Sequence, residues 1–183
     1  MLIAANISAS HTREFCAYLV ADTAPLIAPC RPLLNKPYND CFNVVSEQVA
    51  RHGGQQIIGW AIWELSGVFI EAEFHAVWQS SEGELLDVVP RVSPFTHISF
   101  LPDANRSYKN RQVDNIRRQL VDDNDVKQFL FLARRRFEIL NAGQRALQHE
   151  VLLPKSELRE LERNDKLAIR LERRIHKRYE SNF

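Results

Sequence analysis

No apolar run in this chain approaches the ~20 residues that a membrane-spanning helix needs. The opening segment, Met1-Leu2-Ile3-Ala4-Ala5-Asn6-Ile7, has only a short apolar stretch with no basic residues ahead of it, which argues against a secretory leader. The expectation is a soluble protein made in the cytoplasm, with a signal-less export route left open. Cysteine is scarce as well: Cys16, Cys30 and Cys41 are odd in number, widely spaced and form no Cys-x-x-Cys pair. That excludes a disulfide framework and a zinc knuckle and suits a reducing compartment. There is no internal repeat and no low-complexity tract. With 45% hydrophobic and 26% charged residues in 183, nothing in the composition is extreme, and the chain is long enough for one substantial core.

The net charge of +1 hides two unlike halves. Residues 1–103 hold 5 Lys and Arg against 11 Asp and Glu, whereas residues 104–183 hold 19 against 12. The change falls near Leu101-Pro102-Asp103-Ala104, after a short strand His97-Ile98-Ser99-Phe100-Leu101, and beyond it the periodicity turns helical. The expected organisation is an α+β core over 1–103 and a basic helical region over 104–183, packed on the core or protruding as an arm.

Within the first half, Phe69 to Trp78 alternates: Ile70, Ala72, Phe74, Ala76 and Trp78 on one face, Glu71, Glu73 and His75 on the other. A turn at Ser80-Ser81-Glu82-Gly83 leads into Leu85-Leu86-Asp87-Val88-Val89-Pro90. Centring the hairpin on Ser81 sets Phe74 against Val88, Ala76 against Leu86, and His75 against Asp87. Directly opposed residues have Cβ atoms roughly 4.5–5.5 Å apart, close enough for an imidazole N–H to donate to a carboxylate. The preceding strand, Ile57 to Glu64, gives Ile58, Trp60 and Ile62 to the core, so Gly59 and Ala61 face the His75 side. Small residues there suit either a cleft floor beside Glu73 and His75 or a close backbone approach. His97 is the alternative base should the register differ.

Cys41 opens a segment, Cys41 to His52, that reads as a helix capped by Asn39 or Asp40 and stopped by Gly53. A thiol in the first turn meets the positive end of the helix dipole and unpaired backbone N–H groups, which favour a thiolate and can hold an oxyanion. Cys41, His75 and Asp87 are therefore the candidates for nucleophile, general base and orienting acid.

The strings Cys41-Phe42-Asn43, Gly59-Trp60, His75-Ala76-Val77-Trp78 and Gly83 to Pro90 resemble the core of transglutaminase-like and other papain-like cysteine enzymes, over roughly residues 35–100. That resemblance implies an antiparallel sheet packed on a Cys-bearing helix. It also implies a Cys41–His75–Asp87 triad acting on an amide or ester, as in proteases, amidases, deamidases and transglutaminases, with a protein or peptide-like amide as substrate. By the same resemblance Asn35 takes the oxyanion-hole amide position. Phe42, Gly59 and Glu73 complete the oxyanion and substrate side.

No metal or other cofactor is expected. Glu71, Glu73, His75 and Asp87 share one region, but no His-x-His or His-Glu-x-x-His spacing accompanies them. In the second half, Asp122-Asp123-Asn124-Asp125 offers caps for a helix with Val126, Phe129, Leu130, Ala133, Phe137 and Leu140 along one stripe. A last helix capped by Ser156 carries a narrow seam of Leu158, Leu161, Ala168, Leu171 and Ile175 amid dense charge, suited to an arm or to pairing with another chain. The basic clusters around Arg134-Arg135-Arg136 and Arg170 to Arg178 define the alternative function, a non-catalytic interaction module. Interleaved acids favour an acidic protein partner or self-association over nucleic acid for that module.

Overall fold

The computed structural model describes residues 1–147 and 151–179. They form two compact units, one of 1–66 with 70–108 and the other of 67–69 with the residues from 109 onward. Seven strands and four α-helices among the described residues make the chain α+β.

In the first unit β1 is Ile3–Ala4, α1 Ser10–Leu19, β2 Leu26–Pro29, α2 Cys41–His52, β3 Gln55–Leu65, β4 Phe69–Gln79, β5 Leu85–Leu86 and β6 His97–Pro102. The sheet runs β2-β6-β3-β4-β5, with β1 pairing β3, and the ladders are antiparallel. Its two ends are themselves joined. Asp87, just past β5, bridges Cys30, just past β2, in parallel. Asp87 N donates to Pro29 O at 2.9 Å, and Arg31 N to Asp87 O at 2.8 Å. The sheet thus curls so that its two ends meet, although β5 covers β4 only at Trp78 and Gln79.

Alternation along the strands supplies two cores. Ala28, Ala61, Trp63, Val77, Ile98 and Phe100, all from strands, form one buried cluster. The other joins α2 to the sheet through Cys41, Val44, Val45, Ala76, Leu86, Val88 and Val89. Gly59 belongs to the close-approach case, not to a cleft floor. A Cβ there would lie 2.2 Å from Leu101 O and 2.9 Å from Pro102 Cα, so only glycine lets the β6 backbone come so near.

The hairpin register differs from the expected one by two residues. Trp78 pairs with Leu86 and Gln79 with Leu85, because the turn spans Ser80 to Glu84 and centres one residue later. Ser80 N donates to Glu84 O, and Ser80 Oγ accepts from Glu82 N and Glu84 N. A shift of two keeps every side chain on its own face, so alternation alone is blind to it.

The second unit holds β7, Ile116–Gln119, then α3, Asn124–Leu140, a 3₁₀ turn over Gly143–Leu147, and α4, Lys155–Tyr179. Asp123 caps α3, its carboxylate accepting from Asp125 N and Val126 N. On α3 the buried positions are Val126, Leu132 and Ile139, while the rest of the expected stripe is half-buried. Helix α4 lies antiparallel along α3: Arg135 and Arg136 meet Glu160 and Asp165, and Arg174 and Arg178 meet Asp125 and Asp123. Leu161, Leu171 and Ile175 are buried, so the narrow seam of α4 is used within the chain.

Candidate functional site

Helix α2 buries Cys41, Val44, Val45 and Gln48, an i, i+3, i+4, i+7 stripe that turns Cys41 toward the sheet. Asp40 is the N-cap by position, but its carboxylate accepts from the Asn43 side chain at 2.9 and 3.0 Å instead of capping the backbone. The first hydrogen bond of the helical ladder is Val44 N to Asp40 O. The N–H groups of Cys41, Phe42 and Asn43 precede that ladder. At the far end Gly53, at φ 71°, closes the helix with its N–H on Val49 O.

On the sheet side, β5 parts from β4 after Leu86, and its continuation is claimed by β2. The β4 strand opposite is left open where His75 lies. Asp87 enters this gap: His75 Nε2 donates to Asp87 Oδ1 at 3.2 Å. Cys41 acts on the same ring, its charge raising the His75 pKa. With Nε2 given to the carboxylate, Nδ1 is the ring nitrogen left for a second partner. His75 and Asp87 meet through strand divergence and not through the direct cross-strand opposition expected of them. His75 is 2% exposed, Asp87 0% and Cys41 6%.

Burial lowers the His75 pKa, but the charges on Cys41 and Asp87 and the hydrogen bonds to both outweigh it, raising the value to about 10. For Asp87 burial acts upward, and His75, Arg91 and the Val89 N–H together hold it below the ordinary carboxylate value. Burial alone pushes Cys16 up to about 11. Burial first, then the Asp87 charge, takes Cys30 to about 11 against the opposing pull of Arg91 and Arg31.

Two residues of the site escaped the sequence reading. Arg91 places Nε 3.4 Å from Asp87 Oδ2, Nη1 3.3 Å from Glu73 Oε2 and Nη2 3.3 Å from His75 Nε2, and its guanidinium lies 5.0 Å from the centre of the Trp63 ring. The Asp87-x-x-x-Arg91 spacing was the available signal, though nothing in it pointed to Glu73 or Trp63. Tyr108 stacks on Phe42 with ring centres 3.9 Å apart and planes 3° from parallel. Burial raises its hydroxyl pKa, with the Asp40 and Cys41 charges adding to the rise.

The remaining candidates fall into separate places. Phe42 packs beside Phe74 and gives its carbonyl to Gln56 Nε2. Glu73 accepts from Trp63 Nε1 at 2.8 Å and from Arg91, so it anchors the arginine instead of standing free for substrate. Asn35 is exposed, with a φ of 60°, on the wall of a groove of about 440 Å³ that Arg91, Lys36, Tyr38 and Phe95 also line. That groove is not lined by Cys41. His97 is exposed at the start of β6, bonded to Thr96. Among the described residues no group of three or more His, Cys, Asp or Glu side chains is gathered for a metal ion. No helix there is long and apolar enough to cross a membrane.

No family model matches the chain, and neither a curated protein nor a solved structure matches it.

Proposed function

We propose that this protein is a cysteine-dependent hydrolase or acyl transferase of the papain-like or transglutaminase-like kind, acting on an amide or ester carbonyl. The observation that carries the reading is the buried His75 ring, hydrogen-bonded to Asp87 and raised in pKa by the charge of a thiol at the first position of a helix. In the proposed cycle the imidazolium of His75 already holds the Cys41 proton at the start, and the sulfur forms a bond to the carbonyl carbon. The oxygen becomes an oxyanion held by N–H groups at the start of α2. Collapse breaks the bond to the leaving amine or alcohol, which takes the proton from His75. Water or an acceptor amine then gives a proton to His75, attacks the thioester and releases the thiolate. Asp87 keeps Nε2 protonated and stabilises the imidazolium, while Arg91 is a positioning residue that holds Asp87 ionised and in place. A protein or peptide-like amide is the substrate class this chemistry serves.

The test is selective alkylation of the intact protein. At pH 7 a thiol of pKa about 11 is thiolate in only on the order of one molecule in ten thousand. Iodoacetamide followed by peptide mass mapping is expected to label Cys41 ahead of Cys16 and Cys30, and His75→Gln to slow that labelling. Preferential labelling of Cys30, or a Cys41 rate indifferent to His75→Gln, counts against the proposal.

A further inference from the structure

The mixed-sign character of the last helix in sequence resolves into separate faces in three dimensions. At 3.6 residues per turn, Arg159, Arg163, Lys166, Arg170, Arg173 and Lys177 of α4 fall within about 80° of arc and run about 27 Å along the axis. All six are exposed. The acids of the helix lie elsewhere. Glu157, Glu160 and Asp165 are turned to Arg145, Arg135 and Arg136, and Glu172 faces His176. Among the described residues Glu162 alone stands at the border of the stripe. The opposite side of the helix is the buried Leu161, Leu171 and Ile175 seam.

We infer that this face of α4 binds the phosphate backbone of duplex nucleic acid. Its form is a line of cations, not a pocket for one anion. Steps of three and four residues place successive charges about 4.5–6 Å apart along the helix, and a duplex offers one phosphate charge per ~1.7 Å of its axis. Four of the six are arginines, whose forked guanidinium suits phosphate oxygens. A bilayer surface is a poorer fit, because an interfacial helix needs its apolar face for the membrane and α4 spends that face inside the unit. A single strand calls for stacking aromatics. The stripe holds none, and the Tyr179 hydroxyl is bound to Asp123. This inference stands apart from the thiol chemistry proposed above.

The experiment is fluorescence anisotropy of the full chain with a labelled, mixed-sequence DNA duplex of roughly 20 base pairs, titrated between about 50 and 200 mM KCl. Five engaged cations give a log–log salt slope of about −4.5, a weakening of about 500-fold over that range. Arg159→Gln, Arg163→Gln, Lys166→Gln and Arg170→Gln together should flatten the slope to about −1, leaving about fourfold. The same number of changes at exposed positions elsewhere, Arg13→Gln, Arg31→Gln, Arg51→Gln and Arg111→Gln, should keep the steep slope. The inference is overturned by absence of binding at low salt, or by a wild-type slope no steeper than that of the α4 variant. It is also overturned by equal loss in the control variant, or by equal affinity for poly-glutamate or anionic vesicles.

Discussion

Cys41→Ala is expected to remove turnover of p-nitrophenyl acetate, a generic acyl donor, by at least about 10⁴-fold, the scale seen when a covalent nucleophile is deleted. No other described thiol can substitute. Cys16 is buried at 1% exposure with its pKa near 11, and Cys30 lies beside the Asp87 charge with its pKa as high. The fold should persist, because only a sulfur is lost from a cluster in which Val44, Val45, Ala76, Leu86, Val88 and Val89 remain, a change of about 1 kcal/mol in a well-packed site. A urea midpoint close to wild type together with absent turnover is the expected pair of results. Undiminished turnover removes the thiol from the chemistry.

Asp87→Asn carries the second large effect, since Asp87 is engaged at once by His75, the Val89 N–H and Arg91. The amide keeps the shape but not the charge, and it leaves the neighbouring cation with Glu73 alone. The expected losses are about 10²–10⁴ in rate, from a misoriented and less basic imidazole, and about 3 kcal/mol in stability, from breaking a buried charge pair. The pH dependence follows from the two shifts. Asp87 is depressed in the fold, so its contribution is present above the ordinary value of 3.8 and drains away as pH falls through its lower folded value. His75 is raised, so its contribution is complete below 6.5 and is lost as pH rises through about 10. Urea midpoints of the wild type should therefore be highest between those limits and decline on both sides, while the Asp87→Asn variant should show a flatter profile at both ends. Equal profiles for the two proteins would show that the pair is energetically incidental.

What the sequence disclosed follows from how local each feature is. The strand over Phe69–Gln79, the start of α2 at Cys41 with its stop at Gly53, and the Asp123 cap of α3 are set by neighbours within a few residues, and each is present in the fold, though β4 is buried on both faces from Phe74 to Val77. The hairpin register was hidden because the apolar pattern repeats every two residues and a slip of two preserves it. Asp87 joins Cys30, a pairing across the whole of α2, β3 and β4 that no window around either residue contains. Arg91 was equally opaque: Glu73 and His75 lie 18 and 16 residues before it, and they meet only because the sheet curls end to end. Gly59 was open between two readings until the β6 backbone appeared against it. On α4 the interleaved acids suggested a neutral, solvated surface, and only the antiparallel partner α3 shows which side they occupy.

The most direct measurement is the ionisation of the His75 ring, followed by ¹⁵N chemical shifts of the imidazole in the intact protein from pH 5 to pH 11. A ring coupled to Cys41 and Asp87 is expected to stay imidazolium through neutral pH and to titrate near 10, with the midpoint dropping in both Cys41→Ala and Asp87→Asn. A ring that titrates near the unperturbed value of ~6.5, unmoved by either substitution, would contradict the account.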